Sequence, residues 1–132
     1  MKGWLLDTCT FLWLIGLPEQ LSAGVREQLA AGQTDAAIST ATLWEVLIKY
    51  GKGQIGLDTG GATALEFLTE QCAAHRVEVL PIVAGSLAAL EHLPPLHADP
   101  FDRLLICQAI ENGLTLVTPD RHIRRYPIKT FW

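Results

Sequence analysis

The fold is decided by the stretch His97-Ala-Asp-Pro-Phe-Asp102-Arg-Leu-Leu-Ile-Cys-Gln-Ala109, in which two carboxylates, three residues apart, precede the most apolar run of the chain. Pro100 suits the first turn of a helix, so we predict Asp99 as the N-cap and Asp102 one turn inside. An apolar helix has no structural need for that second acid. Other carboxylates that converge on Asp102 would form a pocket for a divalent cation.

Composition indicates one domain spanning residues 1–132, since 49% of its 132 residues are hydrophobic and can form a core. No apolar run approaches the roughly 20 residues of a membrane span. Asp7 interrupts the start before a signal-peptide core could form, so we expect a soluble, unexported, cytoplasmic protein. The thiols of Cys9, Cys72 and Cys107 are far apart among apolar neighbours, which favours reduced core cysteines over a zinc site or a disulfide framework.

The formal net charge of −4 argues against a protein that coats nucleic acid by bulk electrostatics. It does not argue against an enzyme that acts on nucleic acid. If acids gather around a cation, the local basic patches of the remaining surface matter more than the total charge. One such patch is the segment Arg121-His-Ile-Arg-Arg125.

Short apolar runs alternate with helical stretches, which predicts an α/β domain with a mostly parallel central sheet. The predicted strands are 2–6, 36–39, 77–82, 114–118 and 127–131. The predicted helices are 8–15, 23–31, 43–50 (opened by Thr40 or Thr42), 62–75, 83–93, 100–112 and a short turn at 121–124. The segment 52–61 holds four glycines and is predicted to be a loop.

Four acids border these elements on one side of the predicted sheet. Asp7 ends the first strand and Asp120 follows the fourth, while Glu45 and Asp102 occupy the first turns of helices that begin near the same edge. Ligands of open parallel sheets bind outside the carboxyl ends of the strands. We therefore predict that the four carboxylates meet in one crevice.

Each acid alone also has a structural explanation, because Asp caps helices and Glu stabilises a first turn. Ordinary salt bridges from Arg103 to Asp102 and from Lys49 to Glu45 are a further alternative. Together, partly buried carboxylates would repel one another by several kcal/mol per close pair, a cost that a hard cation offsets. Oxygen ligands without a His or Cys cluster select Mg²⁺ or Mn²⁺.

The chemistry that fits such a site is metal-assisted phosphodiester hydrolysis, with a water attacking the phosphate in line. We predict that Asp7 and Asp102 hold the cation. Glu45 would bind a second ion or orient the water, and Asp120 would act through a water. Hydroxyls next to these acids could steady the carboxylates, and they belong to Thr8 and Thr118.

The acids lie in motifs that resemble the four acidic motifs of PIN-domain nucleases, and more narrowly VapC-type toxins of bacterial toxin–antitoxin pairs. The four motifs are Leu5-Leu-Asp7-Thr, Ser39-Thr-Ala-Thr-Leu-Trp-Glu45, Asp99-Pro-Phe-Asp102-Arg-Leu-Leu-Ile-Cys-Gln-Ala109 and Leu116-Val-Thr118-Pro-Asp120. The resemblance implies a PIN-like three-layer α/β/α sandwich and Mg²⁺- or Mn²⁺-dependent endoribonuclease activity. It also implies a homodimer and a small antitoxin that blocks the site. Asp99 matches the subgroup's extra acid, a cap or an auxiliary metal ligand.

Further expectations follow for residues around these motifs. We expect RNA phosphate contacts from Arg103, Arg121, Arg124 and Arg125. His97 could contact a phosphate or the metal shell, although a loop histidine with a satisfied hydrogen bond is the favoured interpretation. The family suggests an antitoxin-facing surface on the segment 11–13 with the glycine-rich loop. The terminal pair Phe131-Trp132 is expected to dock on the body of the protein or on a dimer partner.

Three other functions fit the sequence less well than the nuclease. A PIN-like protein without catalysis would serve as a binding module, but retention of all four acids speaks against it. Phosphatases of the haloacid dehalogenase kind need a second Asp two residues after the nucleophile, and this chain has Cys9 there. Receiver domains fail similarly, because they need paired acids after the first strand.

Overall fold

The computed structural model describes residues 3–132, which form a five-stranded parallel sheet with strand order β3-β2-β1-β4-β5. The strands are β1 (Trp4–Leu6), β2 (Ala36–Ser39), β3 (Val77–Leu80), β4 (Thr115–Val117) and β5 (Thr130–Phe131). The predicted parallel sheet is therefore confirmed, although each strand except β2 is shorter than predicted. Lys2, which the sequence placed in β1, lies outside the described residues.

Helices connect these strands on both sides. Over the described residues they are α1 (Thr8–Gly16), α2 (Ala23–Ala31), α3 (Thr40–Gly51), α4 (Ala64–Ala74), α5 (Pro100–Asn112) and α6 (Arg121–Arg124). Their ends follow local chemistry. The Ser22 hydroxyl caps α2, and Gly113 ends α5 in the left-handed conformation at φ 64°. No helix in this part of the chain is long and apolar enough to cross a bilayer.

Two hydrophobic clusters cover the two faces of the sheet. Alternate side chains of β1 point to opposite sides, so Trp4 and Leu6 pack with α1 to α4, whereas Leu5 packs with α5 and α6. Both faces of β1 are buried, as its continuous apolar run predicts. The protein is thus a three-layer α/β/α sandwich, as the resemblance implied. The thiols of Cys72 and Cys107 are buried and free, as predicted.

The predicted helix over 83–93 is wrong. The segment forms two short 3₁₀ turns instead, Ala84–Leu87 and Leu90–His92. The Ser86 hydroxyl accepts from the Val83 N–H at 3.1 Å and donates to the Glu111 carboxylate of α5 at 2.9 Å. These bonds fix a tight turn against α5. The segment therefore does not form the continuous helix that the apolar spacing indicated.

The start of α3 also differs from the prediction. The helix begins at Thr40, and Ser39 is the cap, with its hydroxyl accepting from the Ala41 N–H at 3.0 Å. Strand β2 therefore runs directly into the helix that carries Glu45. A junction without a loop fixes that acid at the sheet edge.

The C-terminal aromatic pair docks on the body of the protein. Phe131 stacks on Trp4 with ring centroids 5.2 Å apart, and Trp132 lies 5.7 Å from Trp13. Gly24 makes room for this contact, because a Cβ there would sit 3.2 Å from the Phe131 ring. The terminal aromatic pair therefore packs on the face of the sheet that α1 and α2 cover.

Replacement of Phe131 with alanine should lower the free energy of unfolding by about 2 kcal/mol, since the ring is partly buried and stacked. Urea denaturation of the purified protein measures the loss. Leu65→Ala, at a side chain 47% exposed on α4, is the matched control and should cost less than about 0.5 kcal/mol. Equal stability of the Phe131 variant and the wild type would show that this docking contributes nothing.

Candidate active site

The candidate site lies at the carboxyl ends of β1 and β4, the neighbouring strands at the centre of the sheet. Asp7 follows β1 directly, and its N–H donates to the Val117 carbonyl of β4 at 3.1 Å. From β1 the chain crosses to β2 on one side of it, whereas β4, which comes after β3 in the sequence, lies on the other side of β1. Such a switch of direction opens a crevice at the strand ends, where ligands of open α/β sheets bind.

Three of the four aspartates that border this crevice also cap helices. The Oδ1 atoms of Asp7, Asp99 and Asp120 accept from the Thr10 N–H at 2.9 Å, the Phe101 N–H at 2.9 Å and the His122 N–H at 2.8 Å, respectively. The cap bonds engage only Oδ1, and the second oxygen of Asp7 accepts a weak contact from the Cys9 thiol at 3.7 Å that a ligand can displace. The structural and the functional interpretation of these acids are therefore compatible, and the predicted cap at Asp99 is confirmed.

Glu45 is held between a hydroxyl and an ammonium group. Thr8 Oγ1 donates to Glu45 Oε1 at 2.6 Å, and Lys49 Nζ lies 3.0 Å from Glu45 Oε2. The Glu45 side chain is 12% exposed, so these contacts orient it within the cleft. The predicted salt bridge to Lys49 exists, and the predicted support from Thr8 is present as a direct hydrogen bond.

Asp102 is the acid whose electrostatics are most perturbed. Its pKa is raised to about 6, mainly by burial and in smaller part by the charges of Asp99 and Asp7, against the lowering effect of the hydrogen bond to His97. His97 Nε2 lies 2.7 Å from Asp102 Oδ2 and 3.9 Å from Asp120 Oδ2. A carboxylate whose pKa is raised by burial and by neighbouring carboxylates lacks nearby positive charge, and a bound cation would supply that charge.

Together the acids form the wall of a cleft of about 220 Å³. Of the described residues, its lining comprises Asp7, Thr8, Cys9, Leu12, Glu45, Lys49, Asp99, Asp102 and Asp120. This donor set fits a hard divalent cation, because carboxylate oxygens predominate and the cap bonds leave free oxygens. The four acids predicted to converge from the sequence all line this cleft.

His97 is the site residue whose place the sequence did not reveal. Its ring is hydrogen-bonded, in agreement with the favoured interpretation, but the partner is the candidate ligand Asp102. The ring also stacks on His122 at a centroid distance of 5.2 Å. The only signal in the sequence was proximity, since His97 stands five residues before Asp102.

Other predicted residues take defined positions. The Thr118 hydroxyl accepts from the Asp120 N–H at 3.0 Å, which fixes the turn that carries this acid. Arg103 does not lie in the cleft lining over residues 3–132. Its guanidinium donates to the Pro94 carbonyl at 3.2 Å and to Tyr126 Oη at 3.0 Å, so it braces the loop before α5. RNA binding by Arg103 stays a prediction.

A basic segment and a thiol complete the surroundings of the cleft. Arg121, Arg124 and Arg125 are exposed on and just after α6, which begins beside Asp120, and their RNA contacts stay predictions. Burial, with the Asp7 charge as a smaller cause, raises the pKa of Cys9 to about 12. That thiol is protonated at neutral pH and is no nucleophile.

Comparisons with known proteins identify the family of the chain. The family model of the PIN domain matches residues 4–129 of the chain. The chain belongs to the PIN domain family. A curated relative, ribonuclease VapC22 of Mycobacterium tuberculosis (strain ATCC 25618 / H37Rv), is 30% identical over 122 residues, which are 92% of this chain and 90% of the relative. The VapC-type resemblance seen in the motifs is thus confirmed.

Solved structures share the PIN fold. A DNA-bound VapBC of Salmonella typhimurium matches with a TM-score of 0.63 at 23% identity, over 99% of this chain and 98% of that chain. VapBC2 of Rickettsia felis, bound to a DNA fragment from its promoter, matches with a TM-score of 0.68 at 21% identity and the same coverage. At these identities the likeness concerns the fold of the chain.

Proposed function

We propose that this PIN-domain protein is a Mg²⁺- or Mn²⁺-dependent endoribonuclease and the toxin component of a toxin–antitoxin pair. The observation that carries the proposal is the convergence of Asp7, Glu45, Asp102 and Asp120 on one cleft at the ends of β1 and β4. The similarity to a VapC ribonuclease supports RNA as the substrate class.

In this proposal the acids have different roles. Asp7, Asp102 and Asp120 hold the cation through the oxygens that face the cleft, with Asp99 at the rim as an auxiliary ligand. A bound divalent cation supplies charge stabilisation of the scissile phosphate and eases deprotonation of the attacking water. Glu45 orients that water or contributes to a second cation.

Neighbouring side chains keep these carboxylates in place. Thr8 and Lys49 each take one oxygen of Glu45, so its carboxylate cannot rotate freely. The Thr118 hydroxyl fixes the backbone of Asp120. Preorganised charges of this kind need little rearrangement when the phosphate reacts, which is how such sites lower a barrier.

A small antitoxin is the proposed protein partner. An apolar groove of about 630 Å³ runs between α1 and the glycine-rich loop, and Leu12, Trp13, Ile55 and Leu57 contribute to its wall. Phe11, which the sequence grouped with this surface, is fully buried in the core. The VapBC structures that share the fold support a partner of this class. Assembly as a homodimer stays a prediction, which light scattering of the purified protein tests.

The alternative function, a PIN-like binding module without catalysis, leaves the acidic cleft unexplained. Several carboxylates kept close together in a half-buried cleft destabilise a fold unless they serve a ligand. Incubation of purified protein with single-stranded RNA and Mn²⁺, with and without EDTA, distinguishes the two functions. The nuclease cuts RNA only when the cation is present, whereas the binding module leaves RNA intact under both conditions.

Replacement of Thr8 with valine should slow cleavage by about 10- to 100-fold, because it removes the hydroxyl that orients Glu45 at nearly constant volume. Single-turnover cleavage at saturating RNA and Mn²⁺ measures the effect, and Thr8→Ser should restore most of the rate. Thr69→Val, which removes a hydroxyl bonded only to the backbone of its own helix, is the matched control. Wild-type cleavage by the Thr8→Val variant would contradict the role assigned to this hydroxyl.

A further inference from the structure

His97 contacts Asp102 from beside the cleft, outside its lining over residues 3–132, and is held there by a network that the acids alone do not require. Its backbone N–H donates to Tyr126 Oη at 3.1 Å, and Arg103 donates to the same oxygen at 3.0 Å. Tyr126 is only 3% exposed, so the loop that carries His97 is anchored to the core. Stacking on His122 limits the ring orientation further. The imidazole is thus fixed in place, with its side chain 18% exposed.

The position of Nε2 matches that of a metal ligand. The Nε2 atom of His97 and one carboxylate oxygen each of Asp102 and Asp120 lie within 4.8 Å of one another. In a six-coordinate site with bonds of about 2.1 Å, adjacent ligand atoms are about 3 Å apart and opposite ones about 4.2 Å. The separations of 2.7 Å to Asp102 and 3.9 Å to Asp120 are close to these two values.

We propose that His97 Nε2 is a direct ligand of the divalent cation, together with Asp102 and Asp120. The inference rests on the proposed function and refines it. Ligation uses the neutral tautomer whose proton sits on Nδ1, and the hydrogen bond between Nε2 and Asp102 occupies the same space when no ion is bound. The oxygen-only ligand set that the sequence predicts thereby gains one nitrogen.

A nitrogen ligand changes which ion the site prefers. Mg²⁺ favours an all-oxygen shell with several waters, whereas imidazole suits transition metals. An imidazole on the ion therefore raises the affinity for Mn²⁺ relative to Mg²⁺. The cleft is a site that selects Mn²⁺, and His97 is the residue that sets this selectivity.

Electron spin-echo spectroscopy of Mn²⁺ bound to the intact protein tests the ligand directly. With natural-abundance histidine, the spectrum should contain the ¹⁴N coupling of one directly bound imidazole. Protein labelled with ¹⁵N-histidine should show the corresponding ¹⁵N pattern. His97→Gln should abolish the coupling, whereas His122→Gln, which alters the stacked neighbour, should retain it.

Metal titrations provide the second measurement. His97→Gln should weaken Mn²⁺ binding by about tenfold or more and Mg²⁺ binding by less than about threefold. If His97 acted only through its hydrogen bond to Asp102, both affinities would fall equally and no bound-imidazole coupling would be seen. That result, or a coupling that survives in His97→Gln, overturns the inference.

The same samples separate this inference from the proposed function. Mn²⁺ that binds without an imidazole signal, yet still depends on Asp7, refutes the role of His97 and leaves the nuclease proposal standing. Mn²⁺ binding that is unaffected by Asp102→Asn refutes the site itself, and with it both proposals.

Discussion

Replacement of Asp102 with asparagine is expected to reduce RNA cleavage by about 1,000-fold or more, equivalent to about 4 kcal/mol of transition-state stabilisation. Asparagine keeps the size of the side chain but removes the charge that the cation needs. Asp102 lies at the centre of the acid cluster, 2.7 Å from His97 and close enough to Asp7 and Asp99 for their charges to raise its pKa. Single-turnover cleavage of single-stranded RNA in saturating Mn²⁺ measures the loss.

Asp58→Asn is the matched control for that experiment. It makes the same chemical change at an exposed acid that lines the apolar groove, away from the cleft. We expect its cleavage rate to stay within about twofold of wild type. Equal rates for Asp102→Asn and Asp58→Asn would remove Asp102 from the catalytic centre.

The second large effect is a loss of stability as the pH rises. The folded pKa of Asp102, about 6, lies above the ordinary aspartate value of 3.8, so the folded state binds the proton more tightly than the unfolded state. In the metal-free protein this contribution is present below about pH 4 and is lost as the pH rises through about 6. The shift corresponds to at most about 3 kcal/mol, and about 1–2 kcal/mol after allowance for partial solvent exposure.

Urea denaturation in EDTA, carried out between pH 4 and pH 7, tests this dependence. Other groups titrate in the same range, so the informative quantity is the difference between wild type and Asp102→Asn. We expect the variant to be the more stable protein at pH 7, with the difference shrinking towards pH 4. A variant that is less stable than wild type at pH 7 would mean that the ionised Asp102 carries no burial cost.

A catalytic centre that destabilises its own fold is consistent with the proposed function. Under this proposal the carboxylates repel one another until a cation binds, so the variant that loses cleavage is also the one expected to gain stability. The cap bonds of Asp7, Asp99 and Asp120 offset part of this cost through favourable contacts with helix N-termini.

The sequence predicted the convergence of the acids because a local pattern places each acid at the end of a strand or in the first turn of a helix. Asp7 follows a buried strand, and the pair Asp99-Pro100 is a helix start that few other patterns match. Once the sheet is parallel, its carboxyl edge collects whatever follows the strands. In the structure, Asp7, Glu45, Asp102 and Asp120 line one cleft at that edge.

Contacts between distant segments were harder to predict. The apolar spacing over 83–93 indicated a helix, but the hydrogen bond from Ser86 to Glu111 depends on tertiary packing. His97 sits in a loop without periodicity, and the Arg103–Tyr126 contact that anchors it joins residues 23 positions apart. Local patterns contain no information on such pairs.

The most direct test of the central claim is the position of the cation. Crystals of the protein grown with Mn²⁺, measured at the manganese absorption edge, should show an anomalous difference peak within bonding distance, about 2.2 Å, of oxygens of Asp7 and Asp102. The same peak should be missing in the Asp102→Asn variant. Strong Mn²⁺ peaks elsewhere on the protein, with none among these carboxylates, would contradict the account.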